Sequence, residues 1–194
     1  MENRVGLKFL TLLLVDGLSH AKDGSLYGDQ FPDSVGKRIE KFVRVVETCL
    51  NTEVLGTPQN PAHWQLPLEG DNVADKKIGT ICLCNNRTRK VVEDLWGLVQ
   101  LCEPNLRRTL WKESVIDNYV PTFRILRLKR NLSDEDIAQR HVDVWFQLWT
   151  KLHPGDFGIT NYIHLLSSGH IAEYLKYWRS LYPHSQQGWG KFMC

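Results

Sequence analysis

Apolar residues recur at three- and four-residue steps through much of the chain, and that spacing predicts helices. Val35, Ile39, Phe42, Val43, Val46, Cys49 and Leu50 form one such stripe, while Lys37, Arg38, Lys41 and Arg44 take the other face. Pro32 precedes this helix, and Asp33 or Ser34 is placed to cap its first amides. A second helix is expected from Asn85 or Asn86, with Val91, Val92, Leu95, Trp96 and Val99 on one face. Glu103-Pro104-Asn105 starts a third, because proline is favoured in a first turn, and Leu106, Leu110 and Trp111 line it. The clearest helix follows Ser133. Asp134, Glu135 and Asp136 sit at the positive end of its dipole, and Ile137, His141, Val144, Trp145, Leu148 and Leu152 form its stripe. His153-Pro154-Gly155 ends it, and a last helical stretch covers about Thr160–Leu181, with a break at Ser168-Gly169 and Pro183 beyond.

Other segments break this period. Residues 52–80 hold Pro58, Pro61, Pro67, Gly70 and Gly79, are polar and aperiodic, and read as a long loop. Loops of that length in compact domains are usually functional or disordered. Ile78–Leu83 is a short apolar run that reads as a strand, and Pro121 bars a central strand in Tyr119–Leu128. Residues 1–31 form a separate N-terminal segment with two readings. Arg4 and Lys8 before the apolar run Phe9–Val15, with Ser19-His20-Ala21 after it, outline a signal peptide over residues 1–21. Leu12–Val15 followed by Asp16-Gly17 reads equally as a buried strand entering a turn. The pattern therefore predicts a mainly α protein. Residues 32–194 form a single helical domain of five or six helices, with at most a small remnant of β-sheet near the N-terminal half.

Composition narrows the class. Hydrophobic content of 42% and charged content of 24% over 194 residues are globular values and exclude a disordered chain. The formal net charge is only +2, so any nucleic-acid surface must be a local patch. Cys49, Cys82, Cys84, Cys102 and Cys194 are too few and odd in number for a disulfide framework. The C-x-C pair lacks a second pair at zinc-finger spacing. Past the N-terminal run, no segment approaches the roughly 20 apolar residues that span a bilayer.

Few residues point to chemistry by themselves. There is no Walker A loop, G-x-G-x-x-G, H-E-x-x-H or G-x-S-x-G motif. Arg124, Arg127, Lys129 and Arg130 cluster after Trp111, Tyr119 and Phe123, and Arg87, Arg89, Lys90, Arg107 and Arg108 add to the middle third. Basic groups interleaved with aromatics can follow a phosphate backbone and stack on bases, though a solvated helix face has the same composition. Asn86 and Asn131 begin N-x-S/T sequons, glycosylation acceptors if the chain is secreted.

The last third is dense in aromatics, histidines and amides. Thr160-Asn161-Tyr162-x-His164, Gly169-His170-Ile171-Ala172-Glu173-Tyr174 and Ser185-Gln186-Gln187-Gly188-Trp189 are its most distinctive runs. Over about Ile137–Trp189 the chain resembles the C-terminal catalytic region of transposase-derived proteins. These are the recombination-activating and Transib-like recombinases and their uncharacterised invertebrate relatives. Asn161, Tyr162, His164, His170, Ser185, Gln186, Gln187 and Trp189 carry the resemblance. The same residues also have plain structural readings: Asn161 and Ser185 as helix caps, Tyr162 and Trp189 as packing groups, His164 and His170 on a partly buried face.

Such recombinases hold two divalent metals with three carboxylates, one metal activating the attacking oxygen and the other stabilising the leaving one. Hard cations need anionic oxygen for this. The resemblance places the late carboxylate directly after Trp189, where this chain has Gly190. It puts an amide, Asn85 or Asn86, at the second acidic site, and Asp16 fits a first carboxylate at a strand end. The resemblance thus implies a non-catalytic remnant of a DDE-type transposase, with no catalytic or metal-binding residue and no cofactor. Such a remnant would keep nucleic-acid binding, protein binding or self-association inside the cell, in nucleus or cytoplasm. The alternative is a secreted, non-enzymatic structural or matrix protein from which Met1–Ala21 is removed.

Overall fold

The computed structural model describes residues 2–28, 34–126, 135–153 and 169–178, and the protein is mainly helical over them. The chain divides into two compact units, Met1–Thr109 and Leu110–Cys194.

The first unit is built on α1, Glu2–Asp23. Val5, Phe9, Leu10, Leu13, Leu14, Leu18 and Ala21 are buried along it. They form two adjacent rows at four-residue steps, a wide apolar face that needs several partners. Those partners are α2 (Val35–Cys49), α3 (Asn85–Glu93) and α4 (Leu95–Cys102). The strand expected at Leu12–Val15 is therefore corrected: these residues lie inside α1. A short apolar run does not by itself separate strand from helix. Here Val5 on one side and Leu18 and Ala21 on the other extend the helical period past it. Gly17 lets the helices close up. A Cβ there would lie 2.6 Å from the Phe42 ring and 2.9 Å from the Cys102 Cβ, so any larger residue would push α1 away.

Helix α2 buries Ile39, Phe42, Val46 and Cys49, and the Ser34 hydroxyl accepts the Lys37 amide at 3.4 Å as its cap. A π-helical turn, Leu50–Val54, continues it into the long loop. Within that loop β1 (Leu68–Glu69) pairs antiparallel with β2 (Lys77–Ile78), Leu68 opposite Ile78 and Glu69 opposite Lys77. The strand expected over Ile78–Leu83 shrinks to β2, because beyond Ile78 the facing residue is Pro67, which accepts the Gly79 amide at 2.7 Å but has no amide to donate in return. At the other end the chain leaves β1 through Gly70, whose φ of +106° suits glycine. The single helix expected from Asn85 breaks at Asp94 into α3 and α4. Helix α5, Asn105–Trp111, starts after Pro104 as expected. Its inner face differs from the expected one: Leu106 is 92% exposed, while Glu103 and Trp111 are fully buried with the half-buried Arg107 between them at four-residue steps. An ion-paired glutamate and arginine thus occupy the face that apolar counting assigned to Leu106.

The second unit continues from Leu110 through a π-helical segment, Lys112–Tyr119, into α6, Val120–Leu126. The wider π turn gives Pro121 room, because in a regular helix its ring meets the carbonyl four residues back. Helix α7 (Glu135–Leu152) packs on the π-helical segment and on α8 (His170–Trp178). Val142, Trp145, Trp149 and Leu152 are its buried side chains. The expected stripe is thus partly corrected. Trp145 and Leu152 are in the core, but Val144 is 37% exposed, Leu148 is half-buried, and the Ile137 side chain lies outside the described residues. Trp149 decides the face: its ring meets Trp111 edge-on at 5.6 Å, and Trp145 meets Tyr119 at 5.2 Å. Large aromatic areas outweigh one valine. Among the described residues, no helix is long and apolar enough to cross a membrane.

Candidate functional site

Two places in the first unit bring polar groups together. One is a chain of charges between the end of α1 and the start of α5. The Asp16 carboxylate accepts Arg107 Nη2 at 2.9 Å, and Arg107 Nε donates to Glu103 Oε2 at 3.0 Å. His20 Nε2 lies 3.2 Å from the same Glu103 oxygen. The Glu103 side chain is fully buried, and a buried carboxylate without partners would cost several kcal/mol, on the order of a broken buried pair. Arg108 donates to the Glu103 and Gln100 carbonyls at 2.8 and 2.9 Å, which satisfies the last turn of α4. The cluster therefore fastens α1 to the segment that opens α5.

Its far end has the order of a hydrolytic triad. The Ser25 hydroxyl is 3.1 Å from His20 Nδ1, with Glu103 on the other ring nitrogen. Acyl transfer also needs N–H donors aimed at a developing oxyanion. The amides of Ser25, Leu26 and Tyr27 are spent on Asp23 Oδ1, the His20 carbonyl and the Gly24 carbonyl. Gly24, at φ +83°, reverses the chain here. This is the geometry of a capped helix end. Burial raises the Asp23 pKa, but the hydrogen bonds from Ser25 and the neighbouring His20 outweigh that and leave it below the usual value.

The second place is a groove of about 620 Å³ between α2 and the long loop. Ile39, Val43, Ala62, Leu68 and Val73 supply its apolar lining, and Glu40, Arg44, Glu47 and Lys76 its charges. The loop wall is fixed by hydrogen bonds. Asn51 exchanges two with the Trp64 backbone, both 2.8 Å, and its carbonyl accepts the Ala62 amide at 2.9 Å. Glu47 Oε1 accepts the Leu66 amide at 2.7 Å. No sequence motif marks this groove; its one signal is the length and aperiodicity of residues 52–80.

The residues singled out by sequence fall in separate places. Asp16 sits within α1, not at a strand end, and is ion-paired. Asn85 and Asn86 are exposed in the first turn of α3. The sequon at Asn86 has its Thr88 buried, with the hydroxyl donating back to the Cys84 carbonyl at 3.2 Å. Arg107 and Arg108 are committed to the charge cluster, whereas Arg87, Lys90 and Arg124 are exposed. His170 opens α8 with Nδ1 3.3 Å from Glu173 Oε2, partly exposed as expected. Arg127, Lys129, Arg130, Asn131, Asn161, Tyr162, His164, Ser185, Gln186, Gln187, Trp189 and Gly190 lie outside the described residues.

The thiols divide by exposure. Burial, helped by Glu53, pushes Cys49 up to about 11, and burial pushes Cys102 well above the usual thiol range, so both stay protonated at neutral pH. Cys82 and Cys84 are exposed. Among the described residues, no three His, Cys, Asp or Glu side chains gather to hold a metal ion. No protein-family model, curated protein or solved structure matches the chain.

Proposed function

We propose that the chain acts by binding rather than catalysis, as a non-catalytic remnant of a DDE-type transposase that retains nucleic-acid binding. The Asp16–Arg107 ion pair carries this reading. A two-metal site needs carboxylates that face the ions, and the Asp16 carboxylate is instead given to a guanidinium at 2.9 Å. The Gly190 found where the resemblance calls for a glutamate supports the same reading. For binding, the support is the basic run after Tyr119 and Phe123, of which Arg124 is exposed on α6.

Titration of labelled duplex and single-stranded DNA with the full chain at rising salt tests this. Each neutralised phosphate contributes about 0.9 to the slope of log affinity against log salt for a duplex and about 0.7 for a single strand. Replacing Arg124, Arg127 and Arg130 together with Ala is therefore expected to flatten the slope by about 2–3 and weaken binding at every salt concentration. Absence of binding at about 50 mM salt, where electrostatic binding is strongest in such a series, contradicts the proposal.

A further inference from the structure

The groove in the first unit has properties that the nucleic-acid reading leaves unused. Its volume of about 620 Å³ is that of a small-ligand site, about 300–1,000 Å³. Its walls are preorganised, because Asn51 and Glu47 fasten the loop to α2 and the π-helical turn that follows it. A long loop held this way has already lost its conformational entropy, so a ligand does not have to order it.

The charges at the groove define a ligand. Glu40 and Arg44 lie one turn apart on α2 and both line the groove. Among the described residues neither side chain makes a hydrogen bond or ion pair, and they do not pair with each other. The remaining polar lining is occupied in part: Glu47 accepts Leu66, and Lys76 Nζ donates to the Gly70 carbonyl at 2.6 Å. A ligand that satisfies Glu40 and Arg44 carries an ammonium and a carboxylate. Four helical residues rise about 6 Å. Two extended residues span at most about 6.6–7.2 Å, at 3.3–3.6 Å each. An extended dipeptide therefore matches the one-turn rise between the two positions on α2, and apolar side chains on it match Ile39, Val43, Leu68 and Val73.

We infer that this groove binds a short apolar peptide with free termini, of dipeptide length. Its ammonium meets Glu40, its carboxylate meets Arg44, and its side chains lie on the apolar lining.

Calorimetric or NMR titration of the full chain with Leu-Leu tests the inference, with N-acetyl-Leu-Leu and Leu-Leu-amide as the other arms. Saturable binding of Leu-Leu at one site is expected. Blocking either terminus weakens it about two- to fivefold, the worth of a part-exposed ion pair. Arg44→Ala removes the difference between Leu-Leu and its amide, and Glu40→Ala removes the difference between Leu-Leu and its acetylated form. Both positions are exposed, so neither change disturbs the core. Val73→Trp fills the groove from an exposed loop position and abolishes binding of all three. No saturable binding, or binding unchanged in Val73→Trp or indifferent to both termini, overturns the inference. None of these outcomes depends on whether the chain binds DNA.

Discussion

A chain that begins at Lys22 is expected not to fold its first unit. Removing Met1–Ala21 takes away almost all of α1 and with it Val5, Phe9, Leu10, Leu13, Leu14 and Leu18, each at most 4% exposed. Burial of each large apolar side chain contributes about 1.5–3 kcal/mol, and a domain has only about 5–15 kcal/mol in all. The loss also strips cover from Phe42, Thr88, Val92 and Cys102, buried side chains that lie against Gly6 and Gly17 of α1, and deletes Asp16 and His20 from around the buried Glu103. Far-UV circular dichroism and hydrogen exchange of the shortened chain would read this as lost helix and unprotected amides over residues 35–109. Native protection there would show that α1 is dispensable. The secreted, matrix-type reading meets this directly, since cleavage after Ala21 would remove the helix on which the unit is built.

Trp145→Ala is expected to destabilise the second unit by about 3–5 kcal/mol, the usual cost of truncating a fully buried aromatic. Trp145 is 0% exposed, packs on Tyr119 at 5.2 Å, and lies where the Ser114 hydroxyl donates to its carbonyl at 3.3 Å. The cavity would open between α7 and the π-helical segment, two elements of the same unit. Urea unfolding followed by circular dichroism measures it as an earlier midpoint for the transition of this unit. A change under about 0.5 kcal/mol, the level of an ordinary surface substitution, would mean that α7 is not the core helix described.

Local signals were legible in the sequence and long-range ones were not. The stripe of α2, its Ser34 cap, the start of α5 after Pro104 and the Trp145–Leu152 part of α7 follow from residues within a few turns of one another. The long loop was also legible, from its prolines, glycines and missing period. The helical nature of Leu12–Val15 depended on Val5 and Ala21 facing α2, α3 and α4, contacts that no local window contains. The exposure of Leu106 depended on the buried Glu103, whose partner His20 comes from α1. The Asp16–Arg107 bond joins residues 91 apart, and the Glu40–Arg44 face became a groove only once the loop was laid across it.

Incubation of the purified full chain with labelled DNA and Mg²⁺ or Mn²⁺ bears most directly on the reading of a binding protein that has lost its chemistry. No metal-dependent cleavage or joining is expected from the chain or from Asp16→Asn. That substitution should register only as reduced stability, through the loss of the Arg107 ion pair. Metal-dependent turnover that disappears in a folded Asp16→Asn protein would contradict the proposal and place Asp16 in an active site.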